Sequence, residues 1–149
     1  MSIFQSLNTS SSALTAGRLR MDVISSNMAN VDTTRGKLVD GQWQPYRRKM
    51  VVQQPLGNSF SSHLSKAMNQ SKTGNGVKVT GIVEDQTPFQ LVYNPDHPEA
   101  NADGYVALPN VDPLKEMVDL MSATRSYEAN VTVFNASKGM LMKALEIGK

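Results

Sequence analysis

Apolar residues at the N-terminal end of the chain recur at spacings that alternate between four and three. Seven of the nine positions in this series are apolar, and the other two are small. This spacing is typical of an amphipathic helix of coiled-coil type. The following Asp32, Thr33, Thr34 and Gly36 favour turns, so we expect the helix to end near Asn30. The N-terminal series is Ile3, Leu7, Ser10, Leu14, Gly17, Met21, Ile24, Met28 and Val31.

The C-terminal end repeats this pattern and has a clear helix start. Asp112 is placed as N-cap, Pro113 as the first helical residue and Glu116 in the first turn. We expect Gly148 to close the helix. An isolated helix of this kind is marginally stable in water, so the two terminal helices are expected to pair with each other or with helices of other subunits. The C-terminal series is Met117, Leu120, Thr124, Tyr127, Val131, Phe134, Lys138, Leu141 and Leu145.

Turn-forming and β-forming residues fill the middle of the chain, where all seven prolines lie between Pro45 and Pro113. The pattern therefore predicts a mainly α protein with a small β-rich middle of short antiparallel strands. We expect three parts: residues 1–35, 36–111 and 112–149. The predicted strands are 77–80 continuing into 82–83, 89–93 and, with weaker patterns, 46–53 and 104–108. A turn is expected at 94–98 and a mobile polar connection at 59–76.

Composition excludes several classes of function. The chain has 149 residues, a net charge of +2 and no cysteine, so disulfides, zinc knuckles and thiol catalysis are excluded. A nucleic-acid partner is not expected, because Arg47-Arg48-Lys49 is the one dense basic run. We interpret that run as a solvated strand face, with contact to phosphate or anionic lipid as the alternative. No signal peptide or membrane-spanning stretch is apparent, so direct membrane insertion is not expected.

The residues that could carry catalysis are scattered. His63 and His97 are unpaired and are interpreted as exposed loop residues. The carboxylates Glu84 and Asp85 suggest a solvated strand end, and Glu116 with Asp119 suggests charge that favours a helix dipole. Because no nucleophile, base and orienting residue occur together, we expect no enzyme activity, no cofactor and no metal site.

A short motif at the end of the first helix resembles a known family. The run Ser26-Asn27-Met28-Ala29-Asn30-Val31-Asp32-Thr33-Thr34, here called the signature, closely resembles the N-terminal motif of bacterial flagellar basal-body rod and hook proteins. Arg35 is inserted before Gly36, and Lys37 stands where an aromatic residue is common, which is similar to the proximal-rod members. Further stretches also resemble those members, so the resemblance covers nearly the whole chain. They are 94–100, 104–106, 109–113, 126–131, Asn135, 138–140 and 145–148.

The resemblance implies a structural subunit of the proximal rod, a helical tube that transmits motor torque in the flagellar basal body. Such a subunit would be exported unfolded through the flagellum-specific type III apparatus, without a cleaved signal peptide. Its partners would be other proximal-rod proteins, the distal rod above, the export-gate adaptor below and copies of itself. In the family, the N- and C-terminal helices form a coiled-coil-like inner domain. The alternative is a soluble coiled-coil adaptor that binds one partner through the same helical series.

The two series, the signature and the stretch 126–131 together predict an assembly interface. Its members are Leu7, Leu14, Met21, Ile24, Asn27, Met28, Ala29, Asn30, Val31, Met117, Leu120, Tyr127, Asn130, Val131, Phe134, Leu141 and Leu145.

Overall fold

A computed structural model of the chain describes residues 3–56 and 76–147. Within these ranges, α1 (Ile3–Ala29) and α2 (Pro113–Ile147) pack together, with short strands between them in sequence. The end predicted for the first helix is confirmed. Asn30 caps it, because its Nδ2 donates to the Ser26 carbonyl at 2.8 Å and its Oδ1 accepts from Thr33 Oγ1 at 3.2 Å. Gly148 lies outside the described residues.

The predicted start of the second helix is also confirmed. Asp112 Oδ1 accepts hydrogen bonds from the backbone N–H groups of Leu114 at 3.0 Å and Lys115 at 3.4 Å. These bonds satisfy donors that have no partner within the helix. Pro113 is the first helical residue, as predicted.

Six strands form three two-stranded sheets in the described part of the chain. The strands predicted at 46–53, 77–83, 89–93 and 104–108 are all present, and they are labelled β3, β4, β5 and β6 in that order. β4 is one continuous strand, and β3 begins three residues later than predicted. The fold class is therefore confirmed. The strands are β1 (Lys37–Val39), β2 (Gln42–Gln44), β3 (Lys49–Pro55), β4 (Val77–Glu84), β5 (Gln90–Tyr93) and β6 (Tyr105–Leu108).

The pairings are β1 with β2, β3 with β4 and β5 with β6. In the last of these, Gln90 lies opposite Leu108 and Tyr93 opposite Tyr105 in antiparallel register. The residues between β5 and β6 include the predicted turn at 94–98, which is confirmed. The predicted connection at 59–76 lies outside the described residues, apart from Gly76.

The hairpin β1–β2 was not predicted. Its two connecting residues, Asp40 and Gly41, have φ angles of 50° and 81°. A two-residue hairpin of this kind requires positive φ at both positions, and Asp-Gly is among the dipeptides that adopt it most readily. The hairpin places Leu38 directly opposite Trp43.

The chain divides into two compact units, each built from segments far apart in sequence. Unit 1 is drawn from residues 1–20, 52–81 and 123–149, and unit 2 from 21–51 and 82–122. In unit 1 the described buried side chains are all small: Ser10, Ala16, Ala123 and Ser137. Small residues allow two helix backbones to approach closely, and a Cβ at Gly17 would lie 3.7 Å from the Tyr127 ring.

The apolar core of unit 2 is also modest. It includes Val23 and Ile24 from α1, Val106 from β6 and Val111 from the segment that leads into α2. Beside this core lies a cluster of buried polar side chains, which joins α1, α2 and the segment before β3.

Candidate assembly surface and buried polar cluster

The residues of the predicted interface differ widely in exposure. Ile24 and Asn27 are buried, whereas Ala29, Met117 and Leu145 are exposed; Met117 is 50% and Leu145 71% exposed. The remaining members are half-buried: Leu7, Leu14, Met21, Met28, Asn30, Val31, Leu120, Tyr127, Asn130, Val131, Phe134 and Leu141. Among these predicted members, the large side chains that are exposed therefore lie on α2.

The second helix exposes further large apolar side chains that the predicted interface omitted. Val133, Met140 and Ile147 are spaced by seven residues and are 52%, 63% and 86% exposed. A spacing of seven places them on one face of the helix. This second apolar row could have been found in the sequence, because it has the same heptad period as the series beside it. The other large apolar side chains that α2 exposes outside the predicted interface are Leu114, Val118, Met121 and Met142.

Asn27 of the signature lies at the centre of the buried polar cluster and is only 1% exposed. Its Nδ2 donates to the Lys49 carbonyl at 2.9 Å and to Glu116 Oε2 at 3.1 Å. Its Oδ1 accepts from the Lys49 N–H at 2.9 Å and from the Tyr46 hydroxyl at 3.0 Å. An asparagine amide has two donors and room for two acceptor contacts, so every one is used within the chain.

Glu116 is the other fully buried member, with an exposed fraction of 0%. One carboxylate oxygen accepts from Asn27, and the other accepts from Arg48 Nε at 2.6 Å. Arg48 also approaches Asp119 at 3.4 Å and Asp85 at 3.7 Å. A buried carboxylate is tolerated only when it is paired and hydrogen-bonded, and both conditions are met here.

One interpretation from the sequence is therefore wrong, and another is incomplete. Arg48 does not belong to a solvated face, since its side chain is 12% exposed and surrounded by carboxylates. Glu116 does more than favour the helix dipole, because it is a buried ion-pair partner. Burial alone would lower the pKa of Arg48, but the hydrogen bond and charge of Glu116, together with Asp119 and Asp85, raise that pKa above its ordinary value.

Asn110 and Asp85 extend the cluster towards the end of β4. Asn110 Oδ1 accepts from the Arg48 N–H at 2.8 Å, and its Nδ2 donates to the Asp85 carbonyl at 3.1 Å. The Asp85 carboxylate accepts from the Thr87 N–H at 3.0 Å. That backbone hydrogen bond, with smaller contributions from the Thr87 side chain and Arg48, lowers the pKa of Asp85. Asp85 is thus a structured carboxylate, not the solvated strand end that was expected.

Gly36, which follows the signature, stands where the backbone has no room for a side chain. A Cβ at this position would lie 2.7 Å from both Cα and N of Tyr46. The two segments are held this close by hydrogen bonds from the Gly36 N–H to the Gln44 carbonyl, at 2.8 Å, and from the Tyr46 N–H to the Thr33 carbonyl, at 3.0 Å.

Arg35, the residue inserted before Gly36, forms an ion pair with Glu99. A hydrogen bond from Thr34 and the neighbouring Arg35 lower the pKa of Glu99. His97 lies in a loop, as predicted, but it is half-buried and its Nδ1 accepts from the Glu99 N–H at 3.2 Å, so the prediction that it is exposed is wrong. His63 lies outside the described residues.

In the described ranges, no group of three or more His, Asp or Glu side chains is placed to hold a metal ion. No helix in those ranges is both long and apolar enough to span a membrane.

Comparison with known proteins accounts for both ends of the chain. Residues 7–36 match the family described as flagella basal body rod protein, and residues 102–147 match the flagellar basal body rod FlgEFG protein C-terminal family. The chain is 68% identical to the flagellar basal-body rod protein FlgC of Bacillus subtilis (strain 168) over 150 residues, with all of both chains covered. The chain belongs to the FlgC family of flagellar basal-body rod proteins.

Relatives with lower sequence identity also match this chain along nearly its full length. The chain is 45% identical to the FlgC protein of Escherichia coli O6:H1, with 100% of each chain covered. It is 44% identical to that of Borreliella burgdorferi, with 99% of this chain and 98% of the relative covered. The chain is therefore a structural subunit of the proximal rod of the flagellar basal body, in a family that is not enzymatic. The rod subunit that the resemblance implied is therefore confirmed, in preference to the soluble coiled-coil adaptor.

Proposed function

We propose that the chain joins its neighbours in the rod through exposed apolar side chains of α2 together with the half-buried series of α1. The observation that carries this proposal is the exposure of large apolar residues along α2, such as Met117, Met140 and Leu145 at 50%, 63% and 71%. Large apolar side chains that are exposed together commonly mark a contact with another protein or a membrane. Burying one such side chain contributes about 1.5–3 kcal/mol.

The buried members of the predicted interface act indirectly in this proposal. Ile24 is 5% and Asn27 1% exposed, so neither reaches a neighbour without local unfolding. Their role is to hold the end of α1 against the start of α2. The half-buried and exposed members then supply the contacts themselves.

The partners we propose are the other proximal-rod proteins, copies of the same chain, the distal rod and the export-gate adaptor. The parts 1–35 and 112–149 would form the inner coiled-coil region, and 36–111 the outer part. This division is supported by the two family matches, which fall on residues 7–36 and 102–147.

We also propose that the chain is exported unfolded by the flagellum-specific type III apparatus, without cleavage. The contacts within unit 2 fit this route, because a hydrogen bond joins Asn27 to Glu116, which lies 89 positions later in the sequence. The N-terminal segment therefore lacks its buried partner until the C-terminal segment has also emerged. A stably folded domain fused to the N-terminus should block secretion, and normal secretion of that fusion would contradict the route.

The assembly surface is tested by charge substitution at exposed positions. Met117→Asp and Leu145→Asp should leave secretion and helical circular dichroism largely unchanged, because at least half of each side chain is exposed. Both should abolish incorporation into purified basal bodies and swimming. Ser122→Asp, at an exposed polar position on the same helix, is the matched control. Normal rods built from Leu145→Asp protein would remove this surface from the proposal.

A further inference from the structure

Arg47 and Lys49 lie on either side of Arg48 in an extended segment that leads into β3. Side chains in an extended segment point alternately to opposite sides. Arg48 enters the buried polar cluster, whereas Arg47 and Lys49 line a separate cavity of about 350 Å³ in unit 2. Lys37 and Gln44 of the β1–β2 hairpin also line this cavity.

Aromatic rings hold two of these cations in place. The Arg47 guanidinium carbon lies 4.5 Å from the centre of the Phe89 ring, and Lys49 Nζ lies 5.3 Å from the centre of the Tyr46 ring. Tyr46 is itself fixed, because its hydroxyl donates to Asn27 at 3.0 Å. The charged groups are therefore positioned before any ligand arrives, which lowers the entropy cost of binding.

The cavity has an excess of positive charge. Among its described lining residues, Lys37, Arg47 and Lys49 are cations and Glu84 is the single carboxylate. Within the part of the chain that the structure describes, none of these three cations has a carboxylate oxygen within 4.0 Å. Arg48, one residue away, has three such partners. The run thus separates into Arg48, whose carboxylate partners stabilise the fold, and Arg47 and Lys49, which line the cavity. Arg47 Nη1 also donates to the Asp85 carbonyl at 3.4 Å.

We propose that this cavity binds an acidic peptide segment of a neighbouring rod protein, with one carboxylate side chain held between Arg47 and Lys49. A guanidinium presents a planar fork of donors that suits a carboxylate, and the ammonium of lysine adds a second charge. A cavity of this size admits a side chain but not a membrane surface. The proposal rests on membership of the rod family, not on the apolar surface of α2, so either can fail alone.

The test uses the full-length protein and hexaglutamate as the probe, measured by titration calorimetry at low salt. Hexaglutamate should bind saturably, and Arg47→Gln/Lys49→Gln should weaken binding at least 10-fold. Lys115→Gln/Lys138→Gln, which removes the same charge from exposed positions on α2, should weaken it less than 2-fold. Equal weakening by the two double variants would show only a general charge effect and would overturn the proposal.

Two further measurements keep the result decisive. Side-chain NMR resonances of Arg47 and Lys49 in the unmodified protein should shift on addition of hexaglutamate, which tests the site even if the variant folds poorly. Inorganic phosphate at equal charge concentration and vesicles of phosphatidylglycerol should bind more weakly than the peptide. Tighter binding of either, or resonances that do not move, would contradict a site for acidic peptides.

Discussion

Asn27 Nδ2 donates to Glu116 Oε2 at 3.1 Å, and this hydrogen bond joins residues 89 positions apart. The same amide group pairs with both the N–H and the carbonyl of Lys49. Asn27 therefore fixes the last turns of α1 against the segment entering β3 and the first turn of α2 at once. Asn27, one of the two asparagines in the signature, therefore has an intramolecular role in this chain, with a complete set of hydrogen-bond partners.

Replacing Asn27 should cost more than its size suggests. Asn27→Ala leaves the Lys49 N–H and carbonyl and one Glu116 oxygen without their Asn27 partner, whereas the Tyr46 hydroxyl keeps its contact with Ser26 Oγ at 3.4 Å. Each unsatisfied buried group costs about 1–3 kcal/mol, so we expect a loss of roughly 3–5 kcal/mol in the free energy of unfolding. Asn8→Ala, at an exposed position of α1, should change it by less than about 0.5 kcal/mol. Urea unfolding of both variants gives the comparison, and similar midpoints would refute the role of Asn27.

Removing the charge of Arg48 should leave the buried Glu116 carboxylate without its cation. Arg48→Met should destabilise the protein by about 3–5 kcal/mol, because Glu116 would remain buried without its cation. Glu116→Gln in the same chain removes that charge and keeps an oxygen for Asn27, so the double variant should be more stable than Arg48→Met alone. Arg18→Met on the exposed face of α1 is the control. Additive losses in this double-mutant cycle would mean that the two residues are not coupled.

Gly36→Ala should disturb the structure next to the signature. The added Cβ would lie 2.7 Å from two backbone atoms of Tyr46, and those atoms cannot move without breaking the bonds between Thr33 and Tyr46 and between Gly36 and Gln44. We expect a loss of about 1–3 kcal/mol from this overpacking. Gly81→Ala in β4 meets no atom of the described residues within 4 Å and should be close to neutral. Thermal unfolding distinguishes the two, and equal effects would contradict the close approach.

Acid should lower the free energy of unfolding as the pH falls through the folded-state pKa of Asp85 in unit 2. The folded protein lowers the pKa of Asp85 below its ordinary value of 3.8, so the unfolded chain takes up this proton first. The stabilisation is complete above that ordinary value and is lost as the pH falls through the lower, folded pKa. Asp85→Asn should therefore reduce stability at neutral pH and flatten its decline in acid, as measured by urea unfolding from pH 2 to 7. Asp22→Asn, at an exposed site on α1, controls for net charge. A decline as steep in Asp85→Asn as in the unmodified protein would contradict the assignment.

The sequence was informative wherever a local rule governs the structure. Helix periodicity and the Asp112-Pro113 start signal predicted both helices. Alternation predicted β4, enrichment in β-forming residues predicted β5, and weaker patterns predicted β3 and β6. The β1–β2 hairpin was missed, although Asp40-Gly41 is a strong turn signal, because the strands beside it have only three residues each. Such short strands show too little alternation to be recognised.

The buried polar cluster could not be predicted in the same way. Arg47, Arg48 and Lys49 look alike in sequence, and only tertiary contact separates Arg48, with its three carboxylate partners, from its two neighbours. Glu116 likewise has the sequence context of an ordinary first-turn carboxylate. Its burial depends on Asn27, 89 positions away, and no local pattern indicates that contact. The resemblance to rod proteins identified Asn27 as important but did not reveal its partners.

The most direct test of assembly through α2 uses the absence of cysteine from the chain. Leu145→Cys places a single thiol at a position that is 71% exposed in the subunit. A soluble maleimide should label this thiol rapidly in the secreted monomer. If α2 lies in a rod contact, the same thiol should be protected at least 10-fold in purified basal bodies and should regain full reactivity when the rods are denatured. Equal labelling in the monomer and in the intact rod would contradict the assembly surface proposed here.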